Sequence, residues 1–185
     1  MAALCAALLY TALALAANPA QAADPAALRD LRAGDMRALV VHDAPRAVPE
    51  AVLLDADDAG HPLEGWQGSW VLLNFWATWC PPCREEMPSL DALEAALGGA
   101  DFAVLPVATG RNPLPAIRRF YGEAALEHLP ILRDPRQALA AEMGVFGLPV
   151  TVLLDPDGRE IARLTGDADW NGPDARAILE AVLGR

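Results

Sequence analysis

The sequence predicts an α/β fold: a central mixed β-sheet flanked by helices, preceded by a short N-terminal extension. Three observations carry this reading. Strand-like and helix-like segments alternate as strand, helix, strand, helix, two antiparallel strands, helix, without an internal repeat. The 185 residues are 54% hydrophobic and 21% charged, enough apolar material for one sizeable core and little case for two independent domains. The run Trp79-Cys80-Pro81-Pro82-Cys83 directly follows the apolar stretch Trp70-Val71-Leu72-Leu73-Asn74-Phe75-Trp76, placing two thiols where a buried strand passes into a helix. Residues 49–185 form the expected domain, residues 23–48 the extension, and residues 1–22 a separate leader.

The leader contains no Asp, Glu, Lys or Arg, and residues 2–17 are almost wholly apolar. Ala20-Gln21-Ala22 has the small-x-small form of a signal-peptidase site, so the expectation is a signal peptide cleaved before Ala23. A basic n-region is missing, which keeps a retained inner-membrane anchor as the alternative. The apolar run falls short of the roughly 20 residues a spanning helix needs, which favours cleavage. The expected location is therefore periplasmic or extracytoplasmic, and soluble after cleavage. Cys5 lies too near the start to serve as a lipoprotein site.

After the leader, residues 25–38 have weak helical spacing, with Gly34-Asp35 as a break. Residues 51–55 read as an edge strand, with Asp57-Asp58-Ala59-Gly60 as its turn. Trp70–Trp76 reads as a central buried strand. Met87, Leu90, Leu93, Glu94 and Leu97 then recur at spacings of three and four until Gly98-Gly99 ends the helix. Residues 102–108 form the next strand, residues 113–122 a helix bearing Ile117, Phe120 and Tyr121, and residues 135–143 a short helix. Strands at 150–155 and 161–165 flank the turn Asp155-Pro156-Asp157-Gly158, and residues 173–183 close the chain as a helix. Trp66 and Trp70 read as packing residues and Trp170 as an anchor for the last helix.

The chemistry lies in the cysteines. Once the leader is removed, Cys80 and Cys83 are the only two, and a bridge enclosing two residues constrains little unfolded-chain entropy. The pair is there for chemistry, and a two-cysteine exchange site in an oxidising compartment needs an electron source or sink supplied by another protein, the expected partner being a membrane-bound thiol donor. Cys80 at a helix N-terminus meets unpaired N–H groups and the positive end of the helix, which stabilise a thiolate. Pro81 and Pro82 suit the first helical turn and stiffen the loop. A zinc site would need about four ligands, whereas His42, His61 and His128 stand in unrelated segments. Covalent haem attachment would need His where Arg84 stands. Copper(I) held by Cys80 and Cys83 stays open as an alternative use of the same thiols. The net charge of -11 and the lack of a basic cluster argue against nucleic acid. With no exposed apolar stripe in view, a monomer is expected.

The segment Asn74-Phe75-Trp76-Ala77-Thr78-Trp79-Cys80-Pro81-Pro82-Cys83-Arg84-Glu85-Glu86-Met87-Pro88 resembles the signature of the TlpA-like and ResA-like exported thiol:disulfide oxidoreductases of the thioredoxin superfamily. Gly147-Leu148-Pro149 resembles the cis-proline loop of that thioredoxin-like fold. The likeness extends through Leu153–Gly158 and Gly166–Trp170 and covers most of the mature chain. It implies Cys80 as the exposed nucleophile, Cys83 as the resolving thiol, and a cis bond before Pro149 that leaves Leu148 facing the sulfurs and a bound target. It also implies a partly buried Glu86 that exchanges protons with Cys83, an ordinary solvated helix glutamate being the alternative. Asn74 stands where general thioredoxins carry a buried aspartate, so proton transfer shifts to Glu86 or water. Trp79 is expected on the rim against targets, whereas Trp76 either reaches the site or fills the core. The implied activity is reduction of disulfides in exported proteins such as apocytochrome c or copper-site proteins, with no cofactor beyond the redox disulfide. A copper(I) chaperone or docking module and a dithiol oxidase or isomerase remain alternatives.

Overall fold

The computed structural model describes residues 24–185; the expected leader lies outside them. The strands are β1 Val40–Arg46, β2 Val52–Leu54, β3 Gly60–Pro62, β4 Trp70–Trp76, β5 Phe102–Thr109, β6 Leu132–Asp134, β7 Val150–Leu154 and β8 Glu160–Thr165. They form one eight-stranded sheet in the order β1-β8-β7-β4-β5-β6-β2-β3. The pairs β4·β5 and β5·β6 are parallel, and the remaining neighbours are antiparallel. The helices are α1 Pro25–Asp30, α2 Pro81–Leu97, α3 Leu114–Glu123, α4 Ala138–Glu142 and α5 Pro173–Leu183. The result is a thioredoxin-like mixed sheet flanked by helices.

Strand β4 sits at the centre because all seven of its residues are buried. Side chains alternate between sheet faces, so Val71, Leu73 and Phe75 join Leu105, Val107, Val150 and Val152 in one cluster. Trp70, Leu72 and Trp76 join Met87, Leu90 and Leu93 of α2, with Ile117 of α3 and Ile178 of α5, in the other. An unbroken apolar run is what a strand covered on both faces requires. Its one polar member, Asn74, points toward α2.

The sheet is wider than the sequence indicates. Residues 40–46, assigned from sequence to the extension, form edge strand β1 against β8. Exposed Val40, Asp43, Ala44, Pro45 and Arg46 blunt the alternation that would have marked it. Its attachment is polar: buried His42 Nε2 lies 2.6 Å from Glu160 Oε1, and Arg163 donates from Nε and Nη2 to the same carboxylate at 2.6 Å each. Residues 52–54 do form a strand, but β2 lies between β3 and β6, so β3 is the edge. Three-residue β6 is too short to show a period. Helix α4 begins three residues later than expected because Gln137 adopts left-handed backbone with φ 56°, and Asp134 instead accepts from the N–H groups of Ala138 and Ala140. Residues 25–38 divide at the expected break into α1 and a 3-10 turn, Gly34–Ala38.

Removing a side chain from the doubly covered strand leaves a cavity that neither layer can fill. Phe75→Ala is therefore expected to lower the unfolding free energy by about 3–5 kcal/mol, while Val52→Ala, at an exposed position, changes it by less than about 1 kcal/mol. Denaturant titration of both variants checks this.

Candidate active site

Strand β4 delivers the chain into α2 at one end of the sheet. Cys80 is the N-cap of α2, with extended backbone, and Pro81 and Pro82 fill the first turn where no N–H partner is needed. Cys80 and Cys83 are joined in a disulfide with Cα atoms 5.3 Å apart, and the Cys83 N–H points at Cys80 Sγ at 3.3 Å. Cys80 is 5% exposed and Cys83 0%. The nucleophile expected to be exposed is thus nearly covered in the oxidised form, although it remains the more accessible of the pair.

The preceding loop is pinned by a residue that sequence reasoning missed. Asn112 Oδ1 accepts from the Thr78 N–H at 2.8 Å and from Thr78 Oγ1 at 2.9 Å. Its own Nδ2 donates to the Thr109 carbonyl at 2.7 Å. Trp79, next in line, is 62% exposed and with Thr78, Pro81, Arg84 and Glu85 lines an open depression of about 360 Å³. Trp76 takes the other of its two readings. It is 1% exposed and packs against Phe120 and Tyr121 at ring separations of 5.4 and 6.0 Å, so a direct substrate contact by Trp76 is not available in this conformation.

The antiparallel register of β4 and β7 pairs Phe75 with Val150. Residues 146–149 therefore lead into β7 at the end of β4 that feeds the cysteine pair. The Leu148–Pro149 bond is cis, Pro149 is buried and Leu148 half-buried. Leu148 packs against the cluster that contains both cysteines. Phe146 in the same loop is 95% exposed, and sequence reasoning missed it as well. The signal was an aromatic residue held between Gly144 and Gly147, where a core residue would not be expected.

Glu86 is 3% exposed and lies one turn beyond Cys83 on α2. Its Oε1 accepts from Asn74 Nδ2 at 2.8 Å, and its Oε2 from Trp170 Nε1 at 3.0 Å and the Ala168 N–H at 3.3 Å. Asn74 Nδ2 also donates to Thr151 Oγ1 at 2.9 Å. Burial pushes the carboxyl up to about 7; the donors from Asn74, Trp170 and Ala168 hold it from going higher, and the negative charge of Asp167 adds to the rise. The solvated-glutamate alternative is therefore excluded by position. Asn74 contributes a donor and no charge, so the carboxyl behind the disulfide has no second buried acid bonded to it. The link to Trp170, 84 residues away in sequence, was not visible in the sequence, where Trp170 reads as an anchor.

Among the described residues no group of three or more His, Cys, Asp or Glu side chains is placed to hold a metal ion. No described helix is long and apolar enough to cross a membrane.

The Redoxin family profile matches residues 43–183. The thiol-disulfide oxidoreductase ResA of Geobacillus thermodenitrificans is 34% identical over 134 residues, covering 72% of this chain and 75% of that protein. A thiol:disulfide interchange protein DsbE homolog of Paracoccus denitrificans is 37% identical over 97 residues, 51% of this chain and 50% of its own. Among solved structures, the exposed lipoprotein thioredoxin Etrx1 of Streptococcus pneumoniae superposes with a TM-score of 0.60 at 26% identity, covering 74% of this chain and 100% of that one. The chain belongs to the Redoxin family and is a thiol-disulfide oxidoreductase similar to ResA and DsbE, with Cys80 and Cys83 as its redox pair.

Proposed function

We propose that this oxidoreductase works as an exported reductant of selected protein disulfides, with cysteine pairs of apocytochrome c or of copper-site proteins as its targets. The observation that carries the reading is a Cys80–Cys83 disulfide at the N-terminus of α2 with the buried Glu86 carboxyl one turn further on. In the reduced protein the Cys80 thiolate, stabilised by the helix N-terminus, attacks one sulfur of a target disulfide. A mixed disulfide forms and the other target sulfur leaves as a thiolate, which takes a proton. Cys83 then loses its proton to Glu86, which lies on the same side of α2 one turn on, and attacks Cys80 Sγ. The Cys80–Cys83 disulfide closes, the second target sulfur leaves, and two electrons have passed to the target. A membrane-bound thiol donor outside the cytoplasm returns the pair to the dithiol. The two prolines between the thiols and the likeness to ResA favour this direction over net oxidation. Trp79 and Phe146, the two exposed aromatic side chains among the described residues, form the rim that meets the target chain.

The reduction potential of copper-free mature protein tests the direction. A value at or below about -270 mV is expected, and one near about -120 mV would reverse the electron flow. Catalytic turnover by the copper-free protein separates this reading from a copper(I) chaperone, which would transfer its ion stoichiometrically. Phe146→Ala is expected to lower kcat/KM for a folded disulfide-bearing protein by about 3- to 10-fold, consistent with about 1 kcal/mol for a lost aromatic contact, while leaving the reaction with a small aliphatic disulfide unchanged.

The proton on Glu86 also has a stability consequence. The folded protein keeps it up to about pH 7, whereas an unfolded chain releases it near its ordinary value of 4.5. Between those values the native state binds more protons than the unfolded one, so the Glu86 contribution to stability falls as pH rises through that window and levels off above it. Thermal unfolding of the oxidised protein across this range should show the slope, and Glu86→Gln should remove it.

A further inference from the structure

Glu86 is held from the far end of the chain. Trp170 is buried, and it ends a loop that begins at Gly166, whose φ of 104° is backbone favoured by glycine. Four hydrogen bonds tie this loop to a single turn of α2, one of them from Ser89 Oγ to the Ala168 carbonyl at 3.4 Å. The indole N–H and the Ala168 N–H both reach Glu86 Oε2, and the Trp170 N–H donates to Ser89 Oγ at 3.1 Å. Ser89 in turn donates to the Glu86 carbonyl at 2.7 Å. On its outer side the Asp169 N–H donates to Asp35 Oδ2 at 3.1 Å, so the 3-10 turn Gly34–Ala38 braces the same loop. A packing anchor would need none of this polar alignment.

We propose that Trp170 is a positioning residue for the redox reaction, its indole N–H holding the Glu86 carboxylate and thereby deciding when that group takes up and gives back the Cys83 proton. The inference rests on the proton role of Glu86 proposed above. An indole nitrogen can only donate, so the bond reaches full strength against a carboxylate and weakens when the acid is protonated. It favours the charged form and opposes burial, which favours the neutral one. Two other donors act in the same sense, Asn74 Nδ2 on Oε1 and the Ala168 N–H on Oε2. Asn74 and Thr151 from the strands are neutral, Asp167 in the same loop adds a negative charge that acts in the opposite sense, and Arg84 and Glu85 on α2 are exposed. Asp35 and Asp169 lie on the outer side of the loop, Asp174 lies in the first turn of α5, and in the reduced protein the Cys83 thiol joins the set.

The experiment uses the full mature chain with 13C-labelled glutamate and 15N-labelled tryptophan. In the wild-type protein the Trp170 indole resonance is expected to shift with the same midpoint as the Glu86 carboxyl carbon. Trp170→Phe keeps an aromatic ring but removes the donor. It is expected to raise the carboxyl midpoint by about one pH unit and to carry the inflection in the pH profile of thiol exchange with it, while Glu86→Gln abolishes that inflection. A folded Trp170→Phe protein whose carboxyl midpoint stays in place overturns the proposal. If that variant does not fold, the wild-type protein decides, since an indole resonance that ignores the Glu86 titration overturns it equally. Should the midpoint move while the exchange profile is unchanged in both variants, the proton role of Glu86 fails and the proposal with it, although the pairing itself stands. Should Glu86→Gln abolish the inflection and Trp170→Phe leave it unmoved, only the positioning role fails.

Discussion

Everything in this molecule hangs on one strand buried on both faces. Because β4 is paired with a parallel neighbour on one side and an antiparallel one on the other, neither its direction nor its register can slip without turning a full set of large side chains toward the wrong layer. The strand ends where α2 begins, so the same constraint fixes the N-terminus of that helix in space. The disulfide then sits at a place the core determines and the surface need not hold. The antiparallel partner β7 starts at the same level, which is why the loop carrying Leu148 and Pro149 arrives beside the cysteines.

A single polar residue in that strand gives the site its acid–base character. Asn74 on β4 faces α2 rather than the apolar layer behind it, and it meets a glutamate that the helix has carried inside. Two opposing effects act on Glu86: burial, which favours the neutral acid, and three donors, which favour the carboxylate. Burial prevails and the donors limit the rise, which leaves the group able to change state around neutral pH, as a solvated helix glutamate or an acid fully compensated by an ion pair would not. The contrast with Glu160 makes the point. That carboxylate is buried too, but the Arg163 guanidinium and His42 outweigh burial and hold it below the usual range, and it serves to fasten β1 to β8.

Much of the central architecture was legible in the sequence because its signals are local. Trp70–Trp76 is an uninterrupted apolar run, α2 has a regular spacing ended by paired glycines, and Asp155-Pro156-Asp157-Gly158 is a turn in its own right. The strands that were not legible have no such signal. In β1 only His42 and Val41 are buried, and His42 is buried because Glu160, 118 residues away, gives it a partner. Strand β6 lasts three residues and ends in Asp134, whose work is to cap the following helix turn. Exposed Phe146 and the Asn112 brace were missed for the related reason that their roles depend on what lies beside them.

The sequence by itself determined that this is a one-core α/β protein with a redox-active cysteine pair at a strand-to-helix junction, since apolar periodicity, cysteine spacing and proline placement act over a few neighbouring residues. It also carried enough family likeness to point to Pro149 and to Glu86. Only the tertiary structure decided that Trp76 belongs to the core, that Cys80 is nearly covered when oxidised, and that Trp170 bonds Glu86. The physical reason is that exposure and proton affinity are sums over groups brought together by folding. Asn74, Glu86, Ala168 and Trp170 come from a strand, a helix and a distant loop, and no window along the chain contains them together.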